Sequence, residues 1–160
     1  DDFIGPIPAG YGWRLQPAGA MMNYDDWAAI HFNPNGDPNP ALPLPSEDSD
    51  HDSWSNAAEF ALGTAPADPN SHGQYDANLL VSSTDGARYL SYAFTVNPAA
   101  SGVAIETEIS SDLINWESAA EAEGVVVVDD GEIVSLQLSK PIEEDPRRFV
   151  RLRFTVADKQ

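Results

Sequence analysis

The chain of 160 residues carries 26 acidic and 8 basic residues, which gives a formal net charge of −18. This excess of negative charge excludes nucleic acid as a partner, because its phosphates require a basic surface. No apolar run approaches the roughly 18 residues of a membrane-spanning helix, so we expect no membrane insertion. The chain has no cysteine, which excludes disulfides and thiolate zinc sites. Its length fits one domain of average size.

The first 22 residues, DDFIGPIPAGYGWRLQPAGAMM, are predicted to form an extended arm, because prolines and glycines interrupt any helical or strand period. The arm cannot bury its large apolar side chains as a compact unit; these are Phe3, Ile4, Ile7, Tyr11, Trp13, Leu15, Met21 and Met22. We therefore expect the arm to pack on its own domain or on an exposed strand edge of a neighbouring copy.

Residues 23–76 are predicted to form a helix–loop–helix segment. A short helix is expected in NYDDWAAIHF, where Asn23 can cap the first turn and Asp25 and Asp26 are favourable within it. The five prolines of the following stretch, NPNGDPNPALPLPSE, exclude a continued helix. A second helix is expected from Asn56 to Leu62, with Gly63 in the C′ position.

Ahead of the second helix the chain concentrates acidic residues in DSDHDSWSNAAE, residues 48–59, where each carboxylate raises the energy of the next. Six of these residues occupy positions 1, 3, 5, 7, 9 and 12 of the loop, from which an EF-hand supplies oxygens to calcium. The predicted metal ligands are Asp48, Asp50, Asp52, the backbone carbonyl of Trp54, Asn56 and Glu59. Ca²⁺ is the predicted cofactor because it accepts six to eight hard oxygens in a flexible geometry. The alternative is a solvated acidic loop followed by an unrelated helix.

Residues 77–160 are predicted to form an antiparallel β-sandwich of immunoglobulin or fibronectin type. The alternation of period two that marks half-buried strands occurs at Leu79–Ser83 and in RYLSYAFTV (88–96), VAIETEIS (103–110) and RRFVRLRFTV (147–156). A hairpin is expected around Asp130-Gly131. The whole chain is thus predicted to be mostly β: a sandwich preceded by a small helix–calcium loop–helix segment and an extended N-terminal arm.

The stretch DSDHDSWSNAAEFALGTAPADPNS resembles the single-loop, dockerin-like or thrombospondin-type-3-like calcium motif of large secreted bacterial proteins, D-x-D-G-D-G-x-S-N-x-x-E-F-A-L-G-T-x-P. The Tyr24–Trp27 helix, the SSDLINW segment (110–116) and the RRFVRLR ending (147–153) are similar to the surroundings of that motif. The resemblance implies a C-terminal, extracellular, non-catalytic module. His51 and Ser53 stand where the motif has glycines, and a serine at a positive φ costs on the order of 1 kcal/mol.

Other candidate sites carry weaker signals. A second cation site could be built from the alternating residues Asn33, Asn35, Asp37 and Asn39, which otherwise read as turn residues. Asp68 and Asp76 flank the exit of the main loop and could assist it. The three histidines lack an H-E-x-x-H pattern, which disfavours zinc, and no nucleophile elbow or phosphate loop is present. We therefore expect no enzyme.

Two functions of different class remain open. In one, the chain is a carbohydrate-binding accessory module of a secreted polysaccharide-degrading enzyme, with Tyr11, Trp13 and Tyr75 as a platform for sugar rings. In the other, it assembles with copies of itself into a filament or surface layer through the arm. Four of the eight bases lie in Arg147–Arg153, a patch suited to the acidic first half of another copy. Self-assembly is the function that we expect, with secretion to the bacterial exterior or cell surface.

Overall fold

The computed structural model describes residues 21–157 with the exception of residues 39, 84, 123–124, 130 and 145–147. All of the predicted arm except Met21 and Met22 therefore lies outside the described residues. In chain order the elements are α1 (Tyr24–Phe32), α2 (Asn56–Leu62), β1 (Tyr75–Val81), β2 (Arg88–Thr95), β3 (Val103–Ser110), β4 (Glu117–Ser118), β5 (Val125–Asp129), β6 (Ile133–Leu138) and β7 (Phe149–Val156).

The strands form two antiparallel sheets. One has four strands in the order β1-β2-β6-β5, and the other has three in the order β4-β3-β7. The register places Leu79 opposite Leu90 in the first sheet and Ile105 opposite Phe154 in the second. The prediction of a mostly β chain with antiparallel strands is confirmed.

Both helices form where the sequence predicts them, because their capping residues are in place. The Asn23 side chain accepts a hydrogen bond from the Asp26 amide at the start of α1. The Ser55 side chain accepts one from the Ala58 amide at the start of α2. Gly63 ends α2 in the left-handed region with φ of 75°.

Two strands differ from the sequence prediction. The strand expected at Leu79–Ser83 instead runs as β1 over Tyr75–Val81, because its pairing with β2 extends back to Tyr75 opposite Phe94. The two-residue strand β4 was not predicted, since Glu117 and Ser118 are too few to show a period.

The core joins the two sheets and the helical segment. Ile109 of β3 packs in one buried cluster with Leu136 and Leu138 of β6. Tyr24 and Trp27 of α1 pack with Phe60 of α2, and Val103 and Val156 at the ends of β3 and β7 lie against this second cluster. Leu62 joins Phe94 and Val134 in a third. Helix α2 therefore contributes to the second cluster through Phe60 and to the third through Leu62. All of its residues are buried.

Within the described part of the chain, neither helix has the length and apolar character needed to cross a membrane.

The shared core predicts a contrast between two isoleucines. Ile109 is 2% exposed and Ile114 is 80% exposed. Ile109→Ala should lower the free energy of unfolding by about 2–5 kcal/mol, because it leaves a cavity where both sheets meet. Ile114→Ala, the matched control, should change it by less than about 0.5 kcal/mol. Denaturant unfolding measures both values, and equal effects of the two substitutions would contradict this core.

Candidate metal centre

The loop before α2 has the backbone conformation that glycines usually provide in calcium loops. His51 has φ of 67° and Ser53 has φ of 81°, both in the left-handed region. The two carboxylate oxygens of Asp48 hold these turns: Oδ1 accepts a hydrogen bond from the His51 amide at 2.8 Å, and Oδ2 accepts one from the Ser53 amide at 3.0 Å. The side chain of Asp48 thus compensates part of the cost of two non-glycine residues with positive φ.

The three aspartates of the loop converge. Each of Asp48, Asp50 and Asp52 offers a carboxylate oxygen within 4.8 Å of the other two. One oxygen of Asp50 accepts from the Asp52 amide at 3.3 Å, and one oxygen of Asp52 accepts from the Trp54 amide at 2.7 Å. The other oxygen of each, Oδ2, is buried and has no hydrogen-bond partner. The backbone therefore fixes each carboxylate through one oxygen and leaves the second available.

Helix α2 supplies two further oxygens from its first turn. Asn56 and Glu59 are both 0% exposed. The side-chain nitrogen Nδ2 of Asn56 donates to the Leu44 carbonyl at 3.1 Å. Glu59 Oε1 accepts from the Thr64 hydroxyl at 3.4 Å. The remaining oxygens, Asn56 Oδ1 and Glu59 Oε2, are buried without a hydrogen-bond partner. Four such oxygens therefore come from loop positions 3, 5, 9 and 12.

The electrostatics of these groups are unfavourable in the absence of a cation. Burial is the main cause that raises the pKa of Glu59 to about 7, and the charges of Asp50 and Asp52 raise it further. His72 Nδ1 lies 3.3 Å from Asp52 Oδ2, in an ion-pair contact without hydrogen-bond geometry. Among the contacts between acidic and basic side chains of the described residues, this is the one that involves a loop carboxylate. Carboxylates desolvated in this way cost several kcal/mol unless a positive charge offsets them.

The side chains that converge are all oxygen donors. Asp48, Asp50 and Asp52 form a cluster that could hold a metal ion. Glu59 of α2 lies close enough to this cluster for the charges of all three aspartates to raise its pKa, and Asn56 is in the same first turn of α2. Carboxylate, amide and carbonyl oxygens suit hard divalent cations, whereas softer metals prefer imidazole and thiolate. The carbonyl of Trp54, position 7 of the loop, stays a predicted ligand.

Some of the weaker candidate residues make turn contacts. The Asn33 side chain accepts from the Asp37 amide at 2.8 Å and donates to the Asp37 carbonyl at 3.0 Å, while Asn39 lies outside the described residues. Asp68 accepts from the Asn70 amide at 3.1 Å. Asp76 is exposed on β1. The contacts of Asn33 and Asp68 are those of turn residues and need no second ion.

Two contacts near the centre were not predicted from the sequence. Thr64 bonds Glu59 from just beyond the end of α2, and the only sequence signal for it is the threonine of the motif that the loop resembles. His72 reaches Asp52 across 19 intervening residues. That contact depends on how the chain folds back after Gly63, so a periodic pattern, which reports only local geometry, could not have identified His72.

The residues named for the two alternative functions are only partly described. Tyr11 and Trp13 lie outside the described residues, while Tyr75 is exposed and stacks on Tyr92 with ring centroids 6.1 Å apart. Three other tryptophans are described: Trp27 is buried, whereas Trp54 and Trp116 are half-buried.

Two arginines of the basic patch form ion pairs within the described part of the chain. Arg151 pairs with Glu108 at 2.6 Å and lies 4.1 Å above the Trp116 ring, and Arg153 pairs with Glu106. Arg147 lies outside the described residues. The two arginines of β7 are therefore poor candidates for contacts with the acidic half of another copy.

Comparison of the chain with protein-family models, with curated proteins and with solved structures found no match.

The raised pKa of Glu59 predicts an unusual pH dependence in the presence of a chelator. The folded chain keeps the Glu59 proton up to a pH of about 7, whereas the unfolded chain releases it near the usual value of 4.5. The free energy of unfolding should therefore fall as pH rises through this window, by on the order of 3 kcal/mol from this group. Denaturant unfolding at several pH values measures the slope.

Glu59→Gln is the control, because its amide cannot titrate. The substitution should flatten the dependence between pH 4.5 and 7 relative to the original chain. Identical slopes for the two proteins would show that Glu59 does not carry a raised pKa.

Proposed function

We propose that the protein is a non-catalytic calcium-binding structural module. The observation that carries this proposal is the set of four buried oxygens without hydrogen-bond partners, which belong to Asp50, Asp52, Asn56 and Glu59. Buried polar atoms are almost always paired in folded proteins. These four unpaired oxygens belong to positions 3, 5, 9 and 12 of a single loop. A cation that binds all four of them explains best why they lack hydrogen-bond partners.

Calcium fits this site better than other ions. A loop that supplies three aspartates, a carbonyl, an amide and a glutamate offers calcium the six or more oxygens that it takes in flexible geometry. Magnesium requires a near-ideal octahedron and keeps several waters, which is hard to reconcile with oxygens that are already dehydrated. The positive φ values of His51 and Ser53 strain the backbone of the loop, which glycines at these positions would avoid. We therefore expect a modest calcium affinity, in the range of extracellular calcium modules.

The position of the site suggests what calcium does. Asn56 and Glu59 precede Phe60 and Leu62 on α2, and these two apolar residues pack into different clusters of the core. A cation that neutralises the first turn of α2 would therefore hold the helical segment on the two sheets. Such a role needs no catalytic group and fits a secreted module, since calcium is abundant outside cells.

The finer architecture is part of the same proposal. The packing of Ile109 against Leu136 joins faces of the two sheets, as in a β-sandwich of immunoglobulin type. His51 and Ser53 have positive φ values at the two positions where the dockerin-like or thrombospondin-type-3-like calcium motif has glycines. These conformations support our proposal that the loop belongs to this group of motifs. We further propose that the module assembles with copies of itself.

Calcium removal tests the proposal directly. Free calcium at a hundredfold over its dissociation constant adds about 2.7 kcal/mol of stability, so chelation should lower the melting temperature by several degrees. Glu59→Gln should abolish most of this response. Glu117→Gln, which changes an exposed glutamate on β4, should leave it intact. A melting temperature that chelation does not change would refute the calcium site.

Carbohydrate binding is the alternative function, and Tyr75 with 58% exposure is the described residue that favours it. Affinity electrophoresis against a broad panel of polysaccharides separates the two functions. We expect no polysaccharide to retard the chain. Retardation that Trp13→Ala abolishes, with the melting temperature unchanged, would contradict our choice and support the carbohydrate module.

A further inference from the structure

One edge of the second sheet opens onto a cleft that is lined from both sheets. Its volume of about 360 Å³ falls in the lower part of the range seen for ligand sites. Glu106, Thr107 and Asp129 contribute polar groups, and the apolar part of the lining includes Ala100, Val103, Ile105, Ala120, Val127 and Val134. We call this feature the inter-sheet cleft.

The edge of β3 that faces the cleft is covered at its two ends but has no described strand between them. At one end, β4 pairs only with Glu108 and Ile109, and the Thr107 carbonyl accepts from the Ala119 amide at 2.8 Å. At the other end, the Ser101 amide donates to the Met22 carbonyl at 2.8 Å. Because backbone groups alternate along a strand, those of Val103 and Ile105 point to this same side.

This edge has the properties of a site for an added strand. Backbone donors and acceptors along Val103–Ile105 would supply main-chain hydrogen bonds, and the cleft beneath them would take apolar side chains. The other edge of β3 is fully paired with β7 from Val103 to Ser110. An extended segment could therefore complete β3 between Met22 and β4.

The chain itself contains a segment of suitable chemistry outside the described residues. Residues 1–20 carry one basic residue, Arg14, and several large apolar side chains: Phe3, Ile4, Ile7, Tyr11, Trp13 and Leu15. This segment is long enough to span the gap several times over, because three or four extended residues cover about 10–13 Å.

The direction of the chain at Met22 indicates which copy supplies the segment. Met22 forms a parallel bridge with Ala100, and its amide donates to the Ala99 carbonyl at 2.7 Å. In a parallel bridge the preceding residues of the two segments lie side by side, so Met21 lies alongside Ala99 and away from Val103. A strand added to Val103 and Ile105 by the same copy would require a reversal of the chain before Met21, whereas a second copy can supply it without one.

We propose that the inter-sheet cleft accepts residues from the segment 1–20 of a second copy as an added strand on β3. This inference deepens the self-assembly part of the proposed function by naming its acceptor surface. The contact is head-to-tail, because the segment and the cleft are different surfaces of each copy. It therefore propagates into a filament unless the rotation between copies closes a ring.

Light scattering of the full chain in calcium over a range of concentrations tests the proposal. The mass should rise to at least twice the 17.2 kDa of one chain. Ala120→Arg places a long charged side chain at the exposed lining of the cleft and should return the mass to that of one chain. Ala104→Arg, on the exposed face of the same strand β3, is the matched control and should leave assembly unchanged.

A synthetic peptide of residues 1–20 gives a second measurement that does not depend on a substitution. At tenfold molar excess over the full chain, it should compete for the cleft and bring the mass to that of one chain plus peptide. A full chain that stays at 17.2 kDa at every concentration, or assembly unaffected by both Ala120→Arg and the peptide, would overturn the proposal.

The outcomes separate this inference from the calcium proposal. Chelation acts on the melting temperature through the loop at residues 48–59, whereas Ala120→Arg and the peptide act on mass. If chelation leaves the melting temperature unchanged while the full chain still assembles and Ala120→Arg still disrupts assembly, the calcium site alone would be refuted. A normal calcium response in a chain that never assembles would refute the cleft alone.

Discussion

Electrostatic repulsion among Asp50, Asp52 and Glu59 acts in a region that the fold has largely closed to water. The Asp52 side chain is 1% exposed and Glu59 is 0% exposed, so solvent cannot screen their charges as it does on a surface. Either Glu59 keeps its proton or a cation enters. The second outcome is the one that we propose, because backbone amides hold one oxygen of Asp50 and one of Asp52 and leave the other oxygen of each without a hydrogen-bond partner.

The helix that carries Glu59 is joined by hydrogen bonds to the loop between the two sheets. The carbonyl of Phe60 accepts from the Asn97 side chain at 3.1 Å, and that of Ala61 accepts from the Asn97 amide at 2.8 Å. Asn97 lies between β2 and β3, so both sheets are connected to α2 through this loop. We therefore expect a change in charge at the first turn of α2 to affect the packing of Phe60 and Leu62 as well as the loop itself.

Much of this could be predicted from the sequence because the relevant signals are local. The caps at Asn23 and Gly63 fixed both helices, and the alternation in β3 fixed its bounds, since neighbouring residues determine these features. Tertiary pairing determined the rest. The start of β1 at Tyr75 depends on β2, the contact of His72 with Asp52 depends on the fold beyond Gly63, and the pairing of Arg151 with Glu108 depends on register between distant strands. Spacing along the chain carries no information about such contacts.

The central claim is that one calcium ion compensates the buried carboxylates of the loop. Isothermal titration of calcium into the chelator-treated full chain tests it most directly. The account predicts saturable binding of one ion per chain through this loop, with a dissociation constant of about 1 mM or lower, which is the range of known calcium modules. It also predicts no comparable binding to the Glu59→Gln chain. Absence of saturable binding up to roughly ten times that concentration, or equal binding by the Glu59→Gln chain, would contradict the account.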